Sequence, residues 1–152
     1  MQLLGADQIG DAIDRLIEAA APQRIHVGWA TVDLDRAERD LRGATSAPAT
    51  PDLDEPLLGA RARLIGGAGP GSAGDATDIV LLEPSTEGPL AAALARHGEG
   101  PLVMYLVGPT EALELVRAGG FLLSRSASGP LGPERLVLVG PRDGPFLLIV
   151  TP

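Results

Sequence analysis

Ile25-His26-Val27-Gly28-Trp29-Ala30-Thr31-Val32, running into Leu34 to Gly43, and Leu102-Val103-Met104-Tyr105-Leu106-Val107, running into Thr110 to Gly119, read as two copies of one unit. Each is an apolar strand that leads into a short helix and stops at a glycine. Two such units in one small chain predict a duplicated fold. The first copy carries His26 where the second carries a valine, so any chemistry of the fold is unequally shared between the halves.

Around these units the chain supplies further elements. Asp7 is placed to cap a helix reaching Ala20, with Ile9, Ile13, Leu16 and Ile17 on one stripe. A strand over 25–32 follows Pro22, and Asp33 or Asp35 caps the next helix. Ser46 to Pro56 holds Pro48, Pro51 and Pro56, shows little periodicity and reads as a loop or lid over the surface. Residues 60–66 and 78–83 read as strands, Pro89 to Arg96 as a helix with His97-Gly98 at its end, and 120–125, 134–139 and 145–151 as strands. Gly69-Pro70-Gly71-Ser72-Ala73-Gly74 matches G-x-G-x-x-G, but a strand follows it where a dinucleotide site requires a helix N-terminus. The total is about eight strands and four helices.

Composition removes whole classes of chemistry. With 152 residues and 45% hydrophobic content the chain is sized for one globular domain. It has no cysteine, which excludes disulfides, thiolate metal sites and cysteine nucleophiles. All 12 basic residues are arginine, so lysine Schiff bases and lysine-dependent phosphate loops are also excluded. A net charge of −8 opposes binding to nucleic acid or anionic membranes, and neither is expected as a partner. Met1 to Asp7 lacks the basic and apolar segments of a signal peptide, and a soluble, cytoplasmic protein is expected.

The order of elements carries a resemblance. His26-Val27-Gly28 leading to Val32-Asp33-Leu34, together with the closing run Gly144 to Pro152, resembles the vicinal oxygen chelate superfamily, whose members include glyoxalase I and bleomycin-resistance proteins. Leu81-Leu82-Glu83-Pro84, then Leu90 to His97 and Gly98-Glu99-Gly100, is most similar to the methylmalonyl-CoA epimerases of that superfamily. The resemblance implies an α+β fold of paired βαβββ modules forming a cupped, half-barrel mixed sheet. Residues 24–152 would form this single domain, with modules at about 24–84 and 101–152 and a linker helix at 88–97. Residues 1–23 would be an extra N-terminal helix. By analogy with the superfamily, a homodimer is expected.

Members of the superfamily bind a divalent metal through one residue on each of four strands. Carried over, those positions are His26, a site near Val80, Val103, and Leu148 or Ile149, so three of four are aliphatic. The two catalytic glutamates of the epimerases fall on that last position and near Ala62. No metal site and no cofactor are therefore expected.

What the strands leave is a cup lined by Val80, Leu82, Val103, Val107 and Leu148. Strand alternation turns Tyr105 the same way as Val103, so His26 as acid or base and Tyr105 as proton donor share an apolar pocket. Arg125 and Arg135 are candidates to hold a substrate carboxylate or enolate at the rim. Arg61, Arg63, Glu83 and Glu134 read as solvated. Trp29, on the opposite face from His26, is expected to pack against helices. The functional expectation is a metal-independent isomerase or cyclase acting on an acyl or polyketide-like metabolite of bacterial secondary metabolism. The alternative is a binding protein that sequesters a small molecule, such as an antibiotic, without chemistry.

Overall fold

The two units quoted above lie side by side. In a computed structural model, which describes residues 6–42, 51–65, 79–138 and 145–152, β1 (Arg24–Ala30) and β5 (Gly100–Val107) form an antiparallel pair in the middle of one sheet. β1 is followed by α2 (Leu34–Arg42), β2 (Leu53–Glu55), β3 (Ala60–Ile65) and β4 (Ile79–Pro84). β5 is followed by α4 (Glu111–Ala118), β6 (Ala127–Gly129), β7 (Gly132–Leu136) and β8 (Phe146–Val150). α1 (Ala6–Ala20) precedes the first set, and α3 (Pro89–His97) joins the two. The glycine-rich stretch 69–74 and residues 46–50 of the expected loop or lid lie outside the described residues.

The eight-stranded sheet has the order β2-β3-β4-β1-β5-β8-β7-β6. Each half repeats the other about the central pair: β1 lies parallel to β4 as β5 lies parallel to β8, and a short antiparallel hairpin completes each side. The outermost strands, β2 and β6, approach one another, so the sheet curls into a nearly closed barrel-like cup. This is the mixed α+β, cupped architecture expected from the duplicated pattern.

Alternation sorts side chains onto two faces. Leu16 and Ala20 of α1 and Ala112 and Val116 of α4 cover the outer face at Leu106, Leu147 and Ile149. Leu34 and Ala37 of α2 cover it at Leu81 and Ile65, and Trp29 packs into this cluster as expected. The inner face presents Ala62, Val80, Leu82, Val103, Tyr105, Phe146, Leu148 and Val150. Leu90, Ala93 and Leu94 of α3, with Leu58 from the β2–β3 turn, pack among these residues. β8 is therefore buried at all five positions, sandwiched between helices and cup contents.

Local chemistry explains the boundaries. The Asp33 carboxylate accepts the Arg36 amide at 3.2 Å, so of the two candidate caps Asp33 starts α2. Proline opens α3, and Gly98, at φ 78°, ends it with its amide bonded to the Leu94 carbonyl at 2.8 Å. β1 stops at Ala30, short of the expected Val32, where the Thr31 hydroxyl turns to the Glu99 carboxylate.

Three expected boundaries are corrected. The Pro-rich segment ends in an edge strand, β2, which is too short for periodicity to reveal. Residues 120–125 contribute one isolated bridge, Leu123 to Val137, instead of a strand. The expected strand at 134–139 begins earlier, at Gly132, because it pairs across a tight turn with β6.

Where β1 meets β5 the register shifts between Gly28 and Trp29, and the backbones come close. A Cβ at Gly28 would sit 2.5 Å from the Cβ of Val103, which only a strand displacement would relieve. Gly28→Ala is therefore expected to destabilise the protein by roughly 1–3 kcal/mol, read as a lower urea midpoint with an unchanged m-value.

Candidate functional site

His26 and Tyr105 stand opposite each other in the register of the central strand pair. They are cross-strand partners on β1 and β5, both buried on the inner face of the cup. The Tyr105 hydroxyl, however, donates its hydrogen bond to Glu55 of β2 at 2.8 Å. Glu55 pairs with Ala60 of β3 and so points inward; it is 0% exposed. Beside it stands Glu134 of β7, which pairs with Ala127 and Val150, also points inward, and is 1% exposed. Glu134 is thus a correction: a glutamate expected to be solvated closes the cup from within.

The two carboxyls differ in what supports them. Glu55 accepts the Tyr105 hydroxyl and the Leu57 amide, the latter at 3.3 Å. Among the described residues neither oxygen of Glu134 receives a hydrogen bond from a donor outside the pair, and the polar group beside it is the Glu55 carboxyl. Two carboxyls can bond to each other only when a proton lies between them. Burial, and then the Glu55 charge, push Glu134 up to about 9. Burial also raises Glu55, against the hydrogen bonds that favour its charged form. Tyr105 is driven well above its usual value by burial and by the Glu55 charge. At neutral pH Glu134 and Tyr105 therefore stay protonated on either side of Glu55.

Gly129 makes room for this pair. A Cβ there would lie 1.2 Å from a Glu134 carboxylate oxygen, inside bonding distance. β6 presents a glycine where the buried acid needs the space.

The other candidates separate by face. Val80, Leu82, Val103 and Leu148 lie on the inner face in one cluster with α3 and Leu58, and Val107 is half-buried beside them. Arg135 pairs with Ile149 on the outer face and donates to the Ser124 carbonyl at 3.1 Å, so it does not reach the cup. Arg125 is exposed before β6. Arg61 and Arg63 face outward, where Arg61 binds Glu83 at 2.6 Å and Arg63 joins Asp35, Glu38 and Asp52 at 2.5–2.9 Å. These ion pairs tie β2, β3, β4 and α2 together from outside. A cleft of about 400 Å³ opens at the β2–β3 turn, with Asp54, Glu55, Arg61, Glu83 and Ser85 in its wall.

Among the described residues no group of three or more His, Asp or Glu side chains converges on a point that could hold a metal ion. Nor, among those residues, is any helix long and apolar enough to cross a membrane.

Sequence reasoning missed Glu55 and misplaced Glu134. Alternation held a usable signal for both: Leu53 and Glu55 share a face, as do Glu134 and Leu136, and in each pair the apolar member marks the inside.

Sheet order, duplicated modules and an inward-facing site together define the vicinal oxygen chelate fold. Solved structures with this architecture include a Streptomyces coelicolor methylmalonyl-CoA epimerase variant in complex with 2-nitronate-propionyl-CoA. It is 24% identical, covers 86% of this chain and 97% of its own, and superposes with a TM-score of 0.67. The Mycobacterium tuberculosis methylmalonyl-CoA epimerase gives 24% identity, 86% and 89% coverage and a TM-score of 0.67. A protein from Bacillus halodurans gives 19%, 84%, 91% and 0.62. No protein-family model matches the chain, and no curated protein sequence matches it. The likeness is one of fold.

Two outcomes test the cluster. Gly129→Ala and Glu134→Ala are each expected to lower stability, but the double variant should lose markedly less than the sum, because the new methyl occupies the space of the deleted carboxyl; urea melts of the cycle read this. Glu134 has a folded pKa above its unfolded value, so its contribution to stability is complete below about pH 4.5 and is lost as pH rises toward 9. Tm should fall by about 5 °C or more between pH 5 and pH 9, and Glu134→Gln should flatten that decline.

Proposed function

We propose that the protein is a metal-independent isomerase or cyclase that moves protons on an acyl or polyketide-like small metabolite of bacterial secondary metabolism. The observation that carries this reading is the one-proton carboxyl pair capped by a phenol, Tyr105–Glu55–Glu134, inside an otherwise apolar cup. Structural likeness to methylmalonyl-CoA epimerases supports an isomerase-type reaction. The positions that the family resemblance assigns to metal ligands, His26, Val80, Val103 and Leu148, include three aliphatic side chains, and an aliphatic side chain cannot ligate. This reading therefore gives the proton chemistry to the chain's own acids.

Glu55 is the base. Its carboxylate takes a proton from the carbon next to a substrate carbonyl, and the electron pair of that C–H bond moves into an enolate. Tyr105 remains protonated and turns its hydroxyl to the enolate oxygen, while Glu55 returns the proton to carbon at the new position or face. Burial raises the basicity of Glu55, while the hydrogen bond from Glu134 steadies its charged form. His26 pairs with Tyr105 across β1 and β5. The sequestering alternative is favoured by the acidic cleft wall, Asp54 and Glu83, at a net charge of −8.

Incubation of the protein with a bacterial metabolite extract in D₂O, followed by mass spectrometry, distinguishes the two. A metabolite that acquires carbon-bound deuterium, or converts to an equal-mass isomer, is the expected result. Glu55→Gln should slow this at least about 100-fold, and Tyr105→Phe by about 10-fold or more. A metabolite retained on the protein without exchange would establish the binder instead.

A further inference from the structure

The position of the carboxyl pair in the sheet carries a second conclusion. Glu55 belongs to β2 and Glu134 to β7, and these strands lie at opposite ends of the sheet order, β2 at one edge and β7 next to the other. Their main chains pair with β3 and with β6 and β8, not with each other. The edges nonetheless approach across β2 and β6, and the groups that meet there from the two sides are the two carboxyls.

We infer that Glu134 is the closing residue of the cup: the proton it shares with Glu55 seals the seam between β2 and the β6–β7 hairpin, and loss of that proton opens the seam. The seal does not depend on catalysis. That the opened seam admits substrate to Glu55 rests on the isomerase reading above.

Among the described residues no arginine faces the pair to balance a second negative charge. From β5 Tyr105 faces the pair, and it already donates to Glu55. From the turn after β2 only the Leu57 amide reaches it, again at Glu55. His26 on β1 lies beside Tyr105. β3 presents Ala60 and Ala62 to the inside and keeps Arg61 and Arg63 on its other face, as β7 does with Arg135. β6 presents Ala127 and Gly129, β8 presents Val150, and α3 presents Leu90, Ala93 and Leu94. Two buried carboxylates in these surroundings repel each other strongly, and moving apart into water is the relief available.

The outer face decides which strands move. Asp52, just before β2, is held by both Arg61 and Arg63 of β3. Arginine stays charged throughout the relevant pH range, so β2 remains on β3. β3 in turn is paired with β4 along its length and tied to it by Arg61–Glu83, so the β6–β7 hairpin, whose only other sheet neighbour among the described residues is β8, swings away from β2, and the opening lies over Glu55.

The chain's lack of cysteine provides the test. Leu53→Cys places a thiol on the inner face of β2, and Asp54→Cys places one on the exposed face of the same strand, so the ratio of their labelling rates cancels thiolate ionisation. The ratio is expected to rise at least tenfold from pH 7 to pH 10, and to stay low when Glu134→Gln is added, because the glutamine amide donates to Glu55 without titrating. In the unsubstituted protein, amide exchange corrected for its intrinsic rate should show lost protection at 134–136 while β1 and β5 keep theirs. A ratio that does not change with pH, an equal rise with Glu134→Gln, or uniform protection across all three strands overturns the proposal. These readouts involve no substrate, so their failure and that of the isomerase reading are separable.

Discussion

The antiparallel pairing of β1 with β5 is the constraint from which the rest follows. It joins two similar modules along their first strands, which forces the remaining strands outward in mirrored order and brings the two short hairpins round toward each other. It also decides which residues meet. Gly28 lets the backbones approach, the register then sets His26 opposite Tyr105, and the curl of the sheet carries Glu55 and Glu134 in from the far edges. A bulkier residue at Gly28 would disturb the geometry of a cluster to which it contributes no atom.

Polar groups divide unequally between the two faces. Outside, arginines and carboxylates form open networks whose members stay charged; Asp52 is held below its usual range by its hydrogen bond to Arg63, and Glu99 by its hydrogen bonds from Thr31, the Val32 amide and Arg36. Such exposed pairs add little stability individually, but they tie helices and hairpin strands in register. Inside, Glu134 and Tyr105 are held in their protonated forms around Glu55. Burial raises the Glu55 carboxyl against the hydrogen bonds that it accepts.

The duplicated core was legible because its signals are local. A strand followed by a helix and a glycine, twice, yields the central pair and its covering helices, and alternation then yields the inward turn of Tyr105 and the outward turn of Trp29. Glu55 was not legible from local pattern, since β2 spans three residues at the end of a proline-rich segment and owes its place to β3. Glu134 follows Gly132-Pro133 and reads as a solvated hairpin residue, because an isolated glutamate is seldom buried. Only the meeting of β2 with β6–β7, far apart in sequence, reveals that each acid is the other's reason for being inside. Arg135 erred in the opposite sense, as its charge drew attention while its alternation with Glu134 sent it to the outer face.

The order of strands in the sheet differs from their order in the chain, and this bears on how the second module assembles. β8 lies between β5 and β7, yet it is made after both. During synthesis the β6–β7 hairpin must therefore wait, with one edge unpaired, until Phe146 to Val150 arrives to bridge it to β5. That bridging strand is apolar on both sides, so until it docks it is also the segment most exposed to capture by another chain. The arrangement that gives the finished cup its buried centre makes the half-built module dependent on chaperones or speed.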